Sequence, residues 1–374
     1  MDLFSSIKRP TLLLDELTAR QNIDNMAARA LESGSVFRPH FKTHQSAVVG
    51  EWFREAGMSS ITVSSVEMAK YFAAYGWDDI LIAFPVNWRE IDEINHLASQ
   101  INLSLLLESR ETLRYLDKHL NQTCNAWIKI DVGNLRTGLA WDDSDLVLAL
   151  AKDIQRSRFL RLRGLLTHAG HTYRASGSQE VCAIHQQSMQ RLAWLQDQLA
   201  QAGLDRLEIS VGDTPSCSLC SQTGANEIRP GNFVFYDAQQ LNIGACQPEQ
   251  IAVAVACPVV ATHPERGEAV IFGGAVHLSK DLFPFDGKSA YGLVCLPEDG
   301  RWGLPLRGAF VRGLSQEHGV LKIPEEHFDR VRVGELVCII PAHSCLAVTL
   351  MRDFLTLDGR VIPTMNSLAT LPGH

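Results

Sequence analysis

A lysine within a motif of basic and aromatic residues is the first candidate for chemistry. Residues 38–44 read RPHFKTH and end an apolar run that begins at Val36, which places Lys42 at the end of a predicted strand. A lysine in this position is partly shielded from water, which suits Schiff-base formation with a carbonyl group. The same position also suits an ordinary surface lysine just beyond a strand, so the motif alone leaves both roles open.

A short loop of small residues is typical of a phosphate-binding site. Residues 211–216 read VGDTPS and lie between an apolar run and the start of a predicted helix. The N-terminus of a helix offers backbone N–H groups and the positive end of the helix dipole, and both favour an anion. Gly212, Asp213 and Thr214 are therefore candidate phosphate-binding residues.

Two further segments carry polar side chains directly after apolar runs. Residues 131–138 (DVGNLRTG) contain Arg136, and residues 167–173 (THAGHTY) contain His168 and Tyr173. If the runs are strands of a parallel barrel, these residues lie at its active-site end, because the carboxyl ends of the strands line that site. Each segment also fits a structural role, with glycines that form the turns and His168 as a core histidine.

His343 and Cys345 are a candidate metal-binding pair. If residues 343–345 form a strand, the two side chains project from the same face and can bind one ion. Zinc prefers imidazole and thiolate ligands, but catalytic zinc usually has three protein ligands, so water, substrate or a further residue would complete the shell. Cys217 and Cys220 have the spacing of a redox pair or half a zinc site, but no second pair matches them, which favours a structural role.

The elements that must position these residues change in character along the chain. Up to about residue 247, apolar β-rich runs alternate with amphipathic helical patterns, which indicates a parallel sheet covered on both faces. Eight such units predict a TIM (β/α)8 barrel rather than an open sheet. The predicted strands are residues 36–42, 61–64, 80–84, 103–107, 126–131, 162–168, 207–211 and 232–236, and the clearest helices are residues 67–75, 110–120, 146–155 and 180–201.

After residue 247 the helical patterns give way to short β-rich runs that are separated by turns with proline and glycine. The predicted strands of this part are residues 251–262, 269–272, 291–296, 331–340 and 346–351. We therefore expect a barrel over residues 1–247, whose first residues can instead join the second domain. The second domain is then all-β, covers residues 248–374 and carries the metal pair.

The composition excludes several classes of protein. The 374 residues are 46% hydrophobic and 20% charged with a net charge of −8, and lysine and arginine are not massed on one segment, so we expect no nucleic-acid partner. We find no signal-peptide pattern and no apolar run of about 20 residues, and therefore expect a cytoplasmic protein that does not associate with membranes. The nine cysteines are dispersed, so we expect no disulfide framework.

Taken together, the motifs resemble the D-serine dehydratase and D-threonine aldolase family of fold-type III enzymes, which bind pyridoxal 5′-phosphate (PLP) in an alanine-racemase-like barrel. The motifs that carry the resemblance are RPHxKTH at 38–44, DDIL at 78–81, EIRPGNFVFYD at 227–237, SKD at 279–281 and QEHG at 316–319. The resemblance runs over nearly the whole chain.

The resemblance implies a role for each candidate residue. Lys42 would hold PLP covalently and move the Cα proton, and Arg136 would lie near the hydroxyl of the pyridine ring. His343 and Cys345 would bind the metal, and the family typically forms head-to-tail homodimers in which the β domain of one subunit closes the barrel of the other. The residues implied to contact the cofactor are Lys42, Arg136, His168, Tyr173, Gly212, Asp213 and Thr214.

One metal ligand separates the activities within this family. The aldolases usually show His-x-Asp, which suits manganese or magnesium, whereas the dehydratases show His-x-Cys, and this chain has Cys345. A thiolate selects zinc, and zinc can act as a Lewis acid on a departing hydroxyl group. We therefore predict a PLP- and zinc-dependent dehydratase of a small β-hydroxy D-amino acid, such as D-serine or D-threo-3-hydroxyaspartate, that yields a 2-oxo acid and ammonia.

Three other functions remain open at this point. Retro-aldol cleavage of a D-3-hydroxy amino acid to glycine and an aldehyde is the first alternative, and it is the activity of the related D-threonine aldolases. A racemase would not need the metal pair. A non-catalytic PLP-carrier protein usually consists of the barrel alone, so the β-rich part after residue 247 argues against that function.

Overall fold

The computed structural model describes residues 3–204, 207–222 and 224–367. The strands are β1 (Thr11–Leu14), β2 (Val36–Phe37), β3 (Ile61–Val63), β4 (Asp79–Pro85), β5 (Asn102–Leu107), β6 (Cys124–Asp131), β7 (Leu139–Ala140), β8 (Leu160–Leu166), β9 (Glu208–Val211), β10 (Glu227–Ile228), β11 (Val253–His263), β12 (Glu268–Phe272), β13 (Phe283–Phe285), β14 (Lys288–Ala290), β15 (Gly292–Cys295), β16 (Pro297–Glu298), β17 (Arg301–Trp302), β18 (Phe310–Leu314), β19 (His318–Lys322), β20 (Leu336–Pro341), β21 (Asp353–Thr356) and β22 (Val361–Pro363). The α-helices are α1 (Glu16–Glu32), α2 (Ala47–Glu55), α3 (Val66–Ala74), α4 (Ile91–Ala98), α5 (Arg110–His119), α6 (Ser144–Arg156), α7 (Ser178–Gln201), α8 (Thr214–Leu219), α9 (Ala238–Asn242), α10 (Ala275–Leu278), α11 (Glu325–Phe328) and α12 (Ser344–Met351).

The chain divides into two compact units. The barrel unit consists of Asn25–Lys42 and Phe53–Gly231. The β unit consists of Met1–Asp24, Thr43–Trp52 and Asn232–His374. Among the described residues, no helix is long and apolar enough to cross a membrane.

The barrel unit contains a ring of eight parallel strands. Their order is β2-β10-β9-β8-β6-β5-β4-β3, and the short β7 pairs with β6 outside this order. An isolated parallel bridge between His40 and Thr62 joins the two ends of the order and closes the ring. β5 is an example of a strand that is buried on both faces, because all its residues after Asn102 are buried and only Ser104 among them is polar. The predicted barrel is confirmed.

The eighth predicted strand is wrong, and the first is much shorter than predicted, because β2 ends at Phe37 and Lys42 lies in a turn beyond it. The other six strands and the four predicted helices are present with small shifts at their ends. Residues 232–236 contain a 3-10 helix at Asn232–Val234, and the strand that completes the ring is β10, a few residues earlier. β10 contains the buried Glu227, whose carboxylate accepts hydrogen bonds of 2.6 Å from both Arg38 Nε and Ser210 Oγ. A two-residue strand with a paired charge does not form an apolar run, which is why the pattern missed it.

The β unit is built on a nine-stranded sheet in the order β12-β19-β18-β15-β20-β11-β1-β21-β22. β11 is the central strand, because it pairs with β1, β12 and β20. The predicted all-β character of this part is confirmed, but its last predicted strand is wrong. Residues 346–351 lie in α12, since a short buried apolar run fits a helix as well as a strand.

Two cysteines of the barrel unit form a disulfide, whereas the sequence predicted no disulfide framework. Cys182 in α7 and Cys220, directly after α8, form a disulfide that encloses a sequence separation of 38 residues. Cys217 remains a buried thiol, and burial raises its pKa above the usual range. Cys220 therefore pairs with a cysteine of another helix and not with its neighbour Cys217.

Candidate active site

The backbone at Lys42 is held by its neighbour Phe41. Lys42 lies in the turn after β2 and is half-buried. Phe41 is fully buried, and its ring lies 5.0 Å from that of Phe53, 4.9 Å from that of Phe72 and 5.1 Å from that of Trp77. This aromatic cluster fixes the turn while the lysine side chain keeps access to solvent.

His168 follows β8 and is hydrogen-bonded to the loop after β9. Its Nδ1 lies 2.6 Å from the carbonyl oxygen of Gly212. A carbonyl only accepts, so Nδ1 carries the proton and Nε2 is the acceptor. Burial lowers the pKa of His168 well below its usual value, and the nearby positive charge of Lys42 lowers it further. The imidazole is therefore neutral at neutral pH.

The loop after β9 is held by hydrogen bonds from the segment after β8. Asp213 caps α8, and its Oδ1 accepts from Ser216 N at 2.9 Å and from Thr172 Oγ1 at 2.8 Å. The Tyr173 hydroxyl accepts from Thr214 N at 3.3 Å. Because the carboxylate of Asp213 is engaged in the cap, this residue can offer a ligand only its backbone.

Buried hydroxyl groups at this helix start fit the phosphate of PLP. Thr214 Oγ1 and Ser216 Oγ are buried and have no hydrogen-bond partner among the described residues, a state that is unfavourable unless a ligand supplies one. Gly212 packs so closely on the neighbouring strand that an added Cβ would lie 2.7 Å from the backbone carbon of Arg229. Ser216 was missed by sequence reasoning, although it lies in the predicted loop.

Arg136 lies near a group of buried charges that the sequence did not reveal. It is exposed in the loop after β6. Lys129, within β6, is only 5% exposed, and burial together with the charges of Arg229 and Arg136 lowers its pKa to about 7. Arg229 is also buried and donates from Nε to Ser210 Oγ at 2.7 Å. In the sequence these side chains resemble surface residues.

The metal pair lies at the start of a helix and not in a strand, so the predicted strand geometry is wrong. His343 is the N-cap residue of α12, and Cys345 lies in its first turn. The two side chains nevertheless interact, because the imidazole of His343 is hydrogen-bonded to Cys345. The tight turn from β20 into α12 brings the two groups together.

A buried aspartate that sequence reasoning missed orients His343. The Nδ1–H of His343 donates to Asp237 Oδ2 at 3.2 Å. The same oxygen accepts from Asn232 Nδ2 at 2.6 Å and from Ser344 N at 3.0 Å. Burial lowers the pKa of His343, but the charges of Cys345 and Asp237 outweigh it and raise the pKa well above the usual value. Asp237 ends the motif at residues 227–237, which was the available signal.

This donor set fits a soft divalent metal ion. It offers an imidazole and a sulfur, with a carboxylate behind the imidazole, and metal-binding histidines usually have such a partner. Within the described residues there is no cluster of three or more His, Cys, Asp or Glu side chains that could hold a metal. Water or substrate would therefore fill the remaining positions.

Two family models match the chain, one over its N-terminal part and one over its C-terminal part. The model described as alanine racemase, N-terminal domain, matches residues 14–239, and the model described as putative serine dehydratase domain matches residues 252–357. The chain therefore belongs to the alanine-racemase-like family of fold-type III PLP enzymes, in the branch with a serine dehydratase domain. It is a PLP-dependent lyase.

Characterised relatives cover the whole of this arrangement. The chain is 30% identical over 356 residues to D-threo-3-hydroxyaspartate dehydratase of Delftia sp. (strain HT23), and the match covers 92% of each chain. It is 27% identical over 384 residues to D-serine dehydratase of Dictyostelium discoideum, covering 96% of this chain and 95% of the relative.

Solved structures agree with these relationships. The structure of the Delftia dehydratase superposes with a TM-score of 0.89 at 28% identity and covers 98% of this chain and all (100%) of the other. A D-threo-3-hydroxyaspartate dehydratase variant, with one cysteine replaced by alanine and in the metal-free form, also superposes with a TM-score of 0.89, at 27% identity over 98% of this chain and 100% of the other.

Proposed function

We propose that this protein removes water from a small β-hydroxy D-amino acid, such as D-serine or D-threo-3-hydroxyaspartate, and releases a 2-oxo acid and ammonia. The observation that carries the proposal is the contact of His343 with Cys345, with Asp237 at 3.2 Å behind the imidazole. A β-hydroxyl group is a poor leaving group, and a metal held by such a pair meets that need. The characterised dehydratases among the relatives support the same reaction.

The metal is proposed to be zinc. A thiolate is a soft ligand that favours zinc over manganese or magnesium. The metal-free form of a D-threo-3-hydroxyaspartate dehydratase variant with one cysteine replaced by alanine supports a cysteine ligand in this chain. In this chain we assign His343 and Cys345 as the ligands.

The cofactor is proposed to be held by residues of the barrel unit. Lys42 binds it covalently, and Gly212, Thr214 and Ser216 bind its phosphate, because their packing and unsatisfied hydroxyls match an anion. Arg136, His168, Tyr173 and the backbone of Asp213 complete the assignment, as the resemblance implies. This list includes Ser216 in addition to the residues predicted from the sequence.

The chain's own residues then have distinct tasks. Lys42 removes the proton from the substrate Cα, and the neutral His168 avoids placing a second positive charge beside it. His343 and Cys345 hold the metal for the β-hydroxyl group, and Asp237 keeps the imidazole in place. When bound, PLP acts as an electron sink and the metal as a Lewis acid.

The protein is further proposed to act as a cytoplasmic homodimer whose small-molecule substrate is a D-amino acid. The family resemblance supports the dimer.

Product analysis tests the proposed function. Purified protein is incubated with D-serine, D-threonine and D-threo-3-hydroxyaspartate and with their L-enantiomers, and 2-oxo acid, ammonia and glycine are assayed separately. We expect equal amounts of 2-oxo acid and ammonia from D-substrates only. Glycine with an aldehyde would identify an aldolase instead, and no product from any substrate would favour a PLP carrier. Borohydride reduction should fix PLP on Lys42, and Lys42→Ala should abolish this labelling.

A further inference from the structure

The sulfur of Cys345 has a hydrogen-bond partner on the segment that directly follows Lys42 in the chain. Thr43 Oγ1 lies 3.2 Å from Cys345 Sγ. Thr43 is fully buried, and Cys345 is only 7% exposed. The amide of Asn232 approaches the same sulfur at a longer distance, 3.8 Å from Nδ2 to Sγ. The Thr43 hydroxyl is therefore the closer of these two hydrogen-bonding groups.

The direction of this hydrogen bond depends on the state of the cysteine. A cysteine that binds a metal is a thiolate and has no proton to donate. In the metal-bound state the Thr43 hydroxyl must therefore donate to Cys345 Sγ. A donor to a thiolate stabilises the negative charge on the sulfur and holds it in one orientation, and both effects favour the sulfur as a metal ligand.

The turn that carries Thr43 is fixed to the helix that carries Cys345. Gln45 has a left-handed backbone, with φ 51°, and is buried, which indicates that its surroundings impose the conformation. Its Nε2 donates to Thr349 Oγ1 at 2.7 Å, and Thr349 Oγ1 donates to the carbonyl oxygen of Cys345 at 3.0 Å. The turn is thus linked to Cys345 twice. Thr43 is hydrogen-bonded to the sulfur of Cys345, and Gln45 is linked through Thr349 to the carbonyl oxygen of Cys345.

The C-terminal segment holds the same turn from its other side. Met365 N donates to the carbonyl oxygen of Gln45 at 2.6 Å. Asn366 Nδ2 donates to Gln45 Oε1 at 2.9 Å. With Gln45 held at its carbonyl and at both ends of its amide, the position of Thr43 against the sulfur is set before any metal binds.

We propose that Thr43 is a positioning residue that orients and tunes the Cys345 thiolate as a metal ligand. This inference rests on the proposed metal site of His343 and Cys345. It assigns to the residue after Lys42 a role in metal binding that is separate from the chemistry of the lysine.

The experiment compares metal binding and not turnover. Zinc affinity is measured by competition with a chelating dye, and the cobalt-loaded protein is examined for its sulfur-to-cobalt absorption band. Thr43→Val keeps the side-chain volume and removes the hydroxyl, whereas Thr43→Ser keeps the hydroxyl. Thr356→Val is the matched control, because Thr356 is a buried threonine of the same unit whose hydroxyl donates to the carbonyl oxygen of Arg360 and not to Cys345.

We expect Thr43→Val to bind zinc about 10- to 100-fold more weakly and to shift the cobalt band to longer wavelength. Thr43→Ser and Thr356→Val should match the unaltered chain. If Thr43→Val does not fold, Thr43→Ala takes its place. Unchanged affinity and an unshifted band in the variants that lack the Thr43 hydroxyl would overturn the role of Thr43 alone. An unaltered chain with no metal-dependent band would overturn the proposed metal site and this role together.

Discussion

At the scale of single residues, the metal pair shows how much chemistry depends on one ligand atom. His343 is held by Asp237 and contacts Cys345. If the two are metal ligands as proposed, the imidazole is already oriented and the sulfur decides which metal binds. An oxygen ligand at position 345 would present a harder donor in the same place. The distinction between a dehydratase and an aldolase is therefore expected to lie largely at this position.

Replacing Cys345 tests that expectation. Cys345→Ala should lower zinc content and reduce kcat much more than it changes KM, since the metal is needed as charge develops on the departing oxygen. Cys345→Asp should shift the metal preference towards manganese. Metal content and steady-state kinetics on the three D-substrates provide the measurement.

Cys338→Ala is the control for this replacement, because Cys338 is a fully buried thiol in β20 of the same unit. The Cys338→Ala protein should keep the zinc content of the unaltered chain. A Cys345→Ala protein with the zinc content and kcat of the unaltered chain would remove the basis for the dehydratase assignment.

Among the candidate site residues, the sequence singled out those that lie in short polar motifs after apolar runs. Lys42, His168 and Thr214 became candidates in this way. Asp237 and Ser216 could not be assigned, because their roles depend on contacts with His343 and with a helix start that only the folded chain defines. Thr43 stood in a recognised motif, but its partner lies 302 positions away in the chain.

At the scale of elements, apolar runs predicted where an element lies better than they predicted whether it is a strand or a helix. The run at residues 346–351 became α12, and β10 was missed because half of it is the charged Glu227. Buried charge is a feature of this barrel: β6 carries Lys129 in its interior as well.

The buried lysine in β6 should make stability depend on pH. Burial lowers the pKa of Lys129 from 10.5 to about 7 in the folded chain. Between these values the unfolded chain binds more protons than the folded chain, so stability rises with pH over this range. Lys129→Met should remove this contribution and stabilise the protein most at pH 7 and below, with less gain towards pH 10.

The measurement is the urea midpoint of unfolding as a function of pH. Lys118→Met is the control, because Lys118 is exposed on α5 and carries no burial penalty. Parallel pH profiles for Lys129→Met and the unaltered chain would contradict the prediction.

At the scale of the whole molecule, the homodimer was predicted only from the family resemblance. The loop after β6 presents Leu135, which is 89% exposed. A single exposed leucine is ordinary on a protein surface. The expected dimer therefore rests on the family resemblance, in which the β domain of one subunit closes the barrel of the other.

Sedimentation tests the homodimer. We expect a dimer at assay concentrations, and we expect Leu135→Asp to shift it towards monomer with a loss of activity. Leu31→Asp is the control, because Leu31 is also exposed, at 82%, but lies near the end of α1 and not in a loop after a strand. A fully active monomer would contradict the proposed homodimer.

The ring of parallel strands is closed at one point by a single residue pair, His40 with Thr62, where every other junction of the ring has at least two. Local opening costs least where pairing is sparse, and this junction lies two residues before Lys42. If PLP is attached to Lys42 as proposed and binds the closed ring more tightly than the open one, it stabilises the ring by linkage. Hydrogen exchange at the amides of Phe41 and Thr62, which bond across the junction at 2.9 Å each, is then faster without the cofactor than with it.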